Sequence, residues 1–204
     1  MSTMRKDTAK SKKKLIIPLF IIGVMVLSVF GVMLGGLANT QSTSVVKYHT
    51  FVFKQATGGY TFTSKSGDYF VANSPLQVEG FYHEIPSAFW HDLNSEKYKK
   101  MYLDASDERT VKALNIVYSN LKTKANIDIS CVPEHSQDER CKELPLRECG
   151  KNEQGYVALM FELAQEKSVS YNEGCLRFKG SLGYLKGTAD ALVMAYAGVF
   201  NATS

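Results

Sequence analysis

The sequence lacks several common linear signatures of catalysis and nucleotide binding. It has no GxSxG nucleophile elbow, no Walker A loop, no GxGxxG and no HExxH. The motifs by which many hydrolases, nucleotide binders and zinc peptidases announce themselves are therefore missing. Tryptophan occurs once, at Trp90, and proline five times, too few for an extended proline-rich chain. No cysteine precedes Cys131, and no unit repeats along the chain as it would in a solenoid or propeller. The only low-complexity feature is a short lysine run near the start.

What is present points to a folded protein. A hydrophobic content of 45% with 22% charged residues excludes a disordered chain, and the charge is too widespread for several membrane spans. At 204 residues the chain can hold one compact domain with an appendage, or two small domains.

The formal net charge of +4 is distributed unevenly. Arg5, Lys6, Lys10, Lys12, Lys13 and Lys14 face a single acid, Asp7, within residues 1–14, so the remainder is slightly acidic. A basic arm for nucleic acid would fit the tail alone. The next segment argues otherwise, because residues 15–38 (LIIPLFIIGVMVLSVFGVMLGGLA) contain no charge. As a helix rising ~1.5 Å per residue this run reaches across a hydrocarbon core about 30 Å thick. Pro18 falls in the first turn, where its missing N–H matters little. The flanking cations predict a cytoplasmic N-terminus and an extracytoplasmic C-terminal part. Gly36-Leu37-Ala38 fits a signal-peptide cleavage site, yet the apolar run is longer than a usual signal core, which favours a retained anchor. Gly31 and Gly35 form a GxxxG that would let two membrane helices approach as a homodimer.

Residues 39–46 (NTQSTSVV) read as a short linker, and residues 47–204 as an extracytoplasmic α+β domain. Aromatic, β-prone residues open it at Tyr48, Phe51 and Phe53. Tyr60–Thr63 and Tyr69–Val71 flank a turn at Lys65-Ser66-Gly67-Asp68, and Leu76, Val78 and Phe81 extend the strand pattern loosely towards Pro86. Ser87–Leu103 is ambiguous. Val111, Leu114, Val117 and Leu121 recur at helical spacing, behind a cap at Asp104 or Ser106. Asn126–Ser130 alternates like a strand, and Tyr156–Phe161 is apolar throughout, as in a central strand. Val169–Tyr171 and Cys175–Phe178 surround Asn172-Glu173-Gly174 as a hairpin, and Ala189, Leu192, Val193, Tyr196 and Phe200 mark a last helix. The predicted fold is a hairpin-rich mixed sheet packed by two helices, behind one N-terminal transmembrane helix.

Four cysteines, Cys131, Cys141, Cys149 and Cys175, all lie beyond the apolar segment. An even count in an oxidising compartment suggests two disulfides, while the wide spacings do not suit a zinc site. Three pairings are open. Cys131–Cys141 with Cys149–Cys175 is favoured, because it would staple a polar loop and tie that loop to the hairpin. Asn201-Ala202-Thr203 is a glycosylation sequon. His83 and Glu84 with His91, or His135 with Asp138 and Glu139, could be imagined as metal ligands, but nothing in the spacing fixes them on one face. Gly180–Gly183 reads as a loop before the last helix. No cofactor, catalytic residue or metal ligand is assigned, and nucleic acid is not an expected partner.

Several segments together resemble a group of archaeal single-pass membrane proteins with an exported, cysteine-containing α+β domain and no established activity. The resemblance rests on the lysine-rich opening and LIIPLFIIGVMVLSVFGVML, on Cys131, Cys141, Leu144-Pro145-Leu146 and Cys149, and on Tyr171–Gly180 followed by a helix with Ala189-Asp190 and Gly198. It implies topology and source, and no functional residue.

The expected function is a binding or envelope-assembly module, anchored in the bilayer through residues 15–38, with an envelope protein as partner. A cell-surface hydrolase or metal-dependent enzyme, its site assembled in space, is the alternative. A pilin-like filament subunit is a further one, although Lys14 precedes the apolar run and no acid lies within it.

Overall fold

The computed structural model describes residues 44–95, 97–133, 137–149 and 155–200. The predicted anchor at 15–38 with Gly31 and Gly35, His135 and Asn201 lie outside the described residues. No helix among the described residues is long and apolar enough to cross a membrane.

The chain folds as α+β, with two sheets rather than one and four α-helices among the described residues rather than two. Strands β1 (Val45–Tyr48), β2 (Phe51–Ala56), β3 (Gly59–Ser64) and β4 (Gly67–Val71) form an antiparallel meander. Alternation gives it one buried face, with Tyr48, Phe53, Phe62, Tyr69 and Val71, and one exposed face, with Val45, Val52 and Phe70. Gly59 is required at the β2–β3 turn, since a Cβ there would sit 2.1 Å from the Val71 carbonyl oxygen.

The strand pattern expected at Leu76–Phe81 is instead helix α1 (Pro75–Glu84). Ser74 and Pro75 start it, and the Gln77 side chain accepts from the Ser74 N–H at 2.8 Å. Val78, Phe81, Tyr82 and Ile85 follow helical spacing, and that periodicity prevails over the looser alternation. The ambiguous stretch resolves into helix α2 (Ser87–Asn94) and strand β5 (Lys100–Asp104). Because β5 takes Asp104, the next helix starts later than expected. Asp107 caps a 3-10 turn by accepting from Arg109 N, and α3 runs over Val111–Leu121. Then come β6 (Ile127–Ser130), β7 (Tyr156–Leu163), β8 (Ser168–Asn172), β9 (Cys175–Gly180) and α4 (Leu182–Tyr196). Gly183 lies inside α4 rather than in a loop, and Ser181 caps that helix by accepting from Tyr184 N.

The second sheet has the order β6-β5-β7-β9-β8, parallel except for the β8–β9 hairpin. The meander does not join it, because side chains close the outer edge of β4. Asn120 of α3 accepts from Phe70 N at 2.8 Å and donates to Phe70 O at 2.7 Å. Asp190 of α4, fully buried, accepts from Ala72 N, Asn73 N and Asn73 Nδ2. One hydrophobic core runs from Phe53 and Phe62 through Leu114, Val117 and Leu185 to Leu103, Leu159 and Leu176.

A largely parallel sheet needs cover on both faces. Met101, Leu103, Val157, Leu159 and Phe178 face the core, while Tyr102, Ala158, Met160 and Cys175 are buried on the opposite side. The cysteine-bearing loop supplies that second cover. Cys131 pairs with Cys141 and Cys149 with Cys175, at Cα–Cα distances of 5.7 and 5.1 Å. Arg147 lays its guanidinium 4.6 Å from the centre of the Tyr102 ring and donates to the Tyr102 hydroxyl. Its backbone N–H donates to Cys131 O at 2.8 Å.

Candidate functional site

Ligands of open α/β sheets usually sit beyond the carboxyl ends of the strands. Here those ends of β5 and β6 are filled by protein. The Ser106 hydroxyl and N–H both donate to Asp104, Val132 N donates to the Ser106 hydroxyl, and Arg140 Nη2 donates to Ser106 O at 3.1 Å. The opening lies at the other end of the sheet.

At the amino ends of β5 and β6 a cavity of about 390 Å³ is walled by Trp90, Leu93 and Asn94 of α2, by Tyr98–Met101, by Lys124–Asn126 after α3, and by Ala195, Tyr196 and Gly198 at the end of α4. That volume lies within the usual range of small-molecule sites. Its frame is held by backbone and amide bonds. Met101 N donates to Asn126 O at 2.9 Å, Asn126 Nδ2 donates to Lys99 O at 2.8 Å, and the Tyr196 hydroxyl donates to Lys124 O at 3.0 Å.

Three lysines and no carboxylate line this cavity. Lys124 donates to the carbonyls of Asp68 and Asn120, so it joins β4 to the end of α3. Lys100 is ion-paired with Asp128 at 3.2 Å, and hydrogen bonds to Asp128 and Tyr102 raise its pKa. Lys99 is exposed and has no ion-pair partner among the described residues. Leu93, Met101 and Ala195 give apolar wall, and Trp90, Tyr98 and Tyr196 give aromatic wall. The Trp90 Nε1–H is buried and bonded to no protein acceptor among the described residues.

Tyr98 is fixed from behind. Its hydroxyl lies 2.8 Å from that of Tyr171, which donates to Asp92 Oδ2 at 2.7 Å, and Lys97 donates to the same oxygen at 2.6 Å. The Lys97 ammonium and the Tyr171 hydroxyl hold the Asp92 carboxyl down to about 2. Burial, with the Tyr98 and Asp92 hydrogen bonds, raises Tyr171. An acid this strong and a phenol this weak are poorly matched for proton transfer near neutral pH. The cluster braces α2 against β8 and orients a cavity wall.

The residues weighed from sequence are not gathered here. His83 is exposed at the end of α1, and its neighbour Glu84 accepts from the Tyr184 hydroxyl. The His91 side chain is 82% exposed beside Asp92. Among the described residues no group of three or more His, Cys, Asp or Glu could hold a metal ion. The cavity residues were visible only as unconnected features, with Trp90 in an ambiguous stretch, Lys124 near a helix end and Tyr196 in an apolar stripe. A lone tryptophan close in sequence to a lysine cluster was the one available signal.

No protein-family description, characterised protein or solved structure matches this chain.

Proposed function

We propose that this chain is a membrane-anchored extracytoplasmic binding module whose cavity takes a small anion with a flat apolar body. The observation that carries the ligand reading is the cavity wall itself, with three lysines and no carboxylate beside the rings of Trp90, Tyr98 and Tyr196. Aromatic and apolar walls suit a planar body, and Lys99 at the rim suits a carboxylate. The topology is supported by the uncharged run at 15–38 behind six cations and by two paired cysteine bridges beyond it.

Because Trp90 is the only tryptophan, its fluorescence reports on the cavity directly. Full-length protein in nanodiscs is titrated with phenylacetate and, separately, with uncharged phenylacetamide. Saturable change with phenylacetate, weaker change with the amide, and about threefold weaker phenylacetate binding in Lys99→Ala are expected. An unchanged spectrum at millimolar phenylacetate, or equal response to both probes, overturns the ligand reading. For topology, protease added to whole cells is expected to digest the cysteine-bearing domain; full protection overturns it.

A further inference from the structure

The two sheets have four outer edges, and three are blunted. Successive outward positions of β4 are taken up by side chains: Asp68 O by Lys124, Phe70 N and O by Asn120, and Ala72 N by Asp190. On β6, Ile127 N donates to Ala125 O and Ile129 N to the Asp128 carboxylate. Strand β1 is only four residues long and carries Lys47. Short length and an edge lysine are common defences against strand addition. Strand β8, Ser168-Val169-Ser170-Tyr171-Asn172, has none of these devices. It contains no charge and no proline.

The β8–β9 hairpin closes through Glu173 and Gly174, both with positive φ, between the paired residues Asn172 and Cys175. In a two-residue hairpin the flanking pair exchanges both hydrogen bonds, and the pattern then alternates along the ladder. Asn172, Ser170 and Ser168 therefore direct their backbone groups at β9. Val169 and Tyr171 direct theirs outward, and no described group is bonded to them.

We propose that β8 is a homodimer edge, pairing antiparallel with β8 of a second copy about a two-fold axis at Ser170. The register is self-complementary. Val169 of each copy faces Tyr171 of the other as a hydrogen-bonded pair, so four backbone hydrogen bonds form and the outward groups of both residues are satisfied. Ser170 meets its own counterpart as a non-hydrogen-bonded pair with Cα atoms about 4.5 Å apart. The residues flanking the strand, Lys167 and Glu173, have opposite signs. Antiparallel copies bring unlike charges together at both ends, whereas a parallel arrangement would set lysine against lysine. The Tyr171 side chain is already committed to Tyr98 and Asp92, so pairing consumes only backbone.

The test is cysteine crosslinking of the full chain in native membranes under mild oxidation, read on non-reducing gels. Ser170→Cys places two thiols within disulfide reach across the axis. Ser168→Cys serves as control, because its two copies lie about 14 Å apart by strand rise. Roughly tenfold more covalent dimer is expected from Ser170→Cys than from Ser168→Cys. Adding Val169→Pro to Ser170→Cys is expected to abolish that dimer, since it removes an outward N–H while sparing the β8–β9 ladder. Equal crosslinking at positions 170 and 168, or a Ser170→Cys dimer unaffected by Val169→Pro, overturns the proposal. So does a monomeric chain whose β8 instead captures an extended peptide.

Discussion

The meander and the mixed sheet solve the same problem of cover in opposite ways. The meander buries one face and leaves Val45, Val52 and Phe70 about half exposed on the other, so it needs a single packing partner. The mixed sheet is apolar on both faces, as Tyr156–Phe161 shows residue by residue, and needs two. Helices supply one cover and a disulfide-pinned loop the other. An irregular segment of limited apolar content can thus act as a structural layer once it is covalently fastened. Side chains, rather than shared strands, join the two sheets.

Five variants would break or sharpen this contrast. The largest effect is expected where the sheets are tied. Asp190→Ala leaves the N–H groups of Ala72 and Asn73 and the Asn73 amide without their acceptor, and should cost about 3–5 kcal/mol in a urea melt. The same residue gives a pH signature. Burial raises the Asp190 carboxyl from 3.8 to about 6, against the lowering effect of its Asn73 and Ala72 hydrogen bonds. The native state then binds this proton more tightly than the unfolded chain, so the contribution of this group to stability should fall as pH rises from about 4 to about 6. Asp190→Asn should remove that slope; an unchanged slope would assign it to another group.

Next comes the loop cover. Replacing Cys149 and Cys175 by serine should cost about 2–4 kcal/mol and increase hydrogen exchange in β7 and β9 more than in β2 and β3. Equal loosening of both sheets would show that the loop is not a local layer. Asn120→Ala, which uncovers the β4 edge, should cost about 1–3 kcal/mol. Smallest is Val52→Thr on the open face of the meander, expected within about 0.5 kcal/mol of the parent in the same melt.

Much of the fold was legible because local chemistry and tertiary environment agreed. Tyr156–Phe161 reads as a central strand and is one, and Asn172-Glu173-Gly174 reads as a hairpin and closes β8 onto β9. Agreement failed where two periods overlapped. Leu76, Val78 and Phe81 suggest alternation until Ser74 and Pro75 are taken as a helix start. Strand β5 was hidden because Lys100-Met101-Tyr102-Leu103-Asp104 has charged ends, although it lies between two parallel neighbours. The cavity was barely legible, through a lone tryptophan near a lysine cluster and nothing more. Its wall draws on residues from Trp90 to Gly198, and no spacing rule connects them.

By itself the sequence determined an uncharged run at 15–38 behind a basic tail, four cysteines confined to the C-terminal part, and the strand and helix periods of an α+β chain. These follow from local quantities, namely hydropathy, charge and side-chain period. Only the tertiary structure decided that the strands divide into two sheets, that Asn120 and Asp190 join them, and that the cavity opens at the amino ends of β5 and β6. Each of these depends on which distant groups can satisfy a buried donor or cover an apolar face, and that is a property of the packed chain.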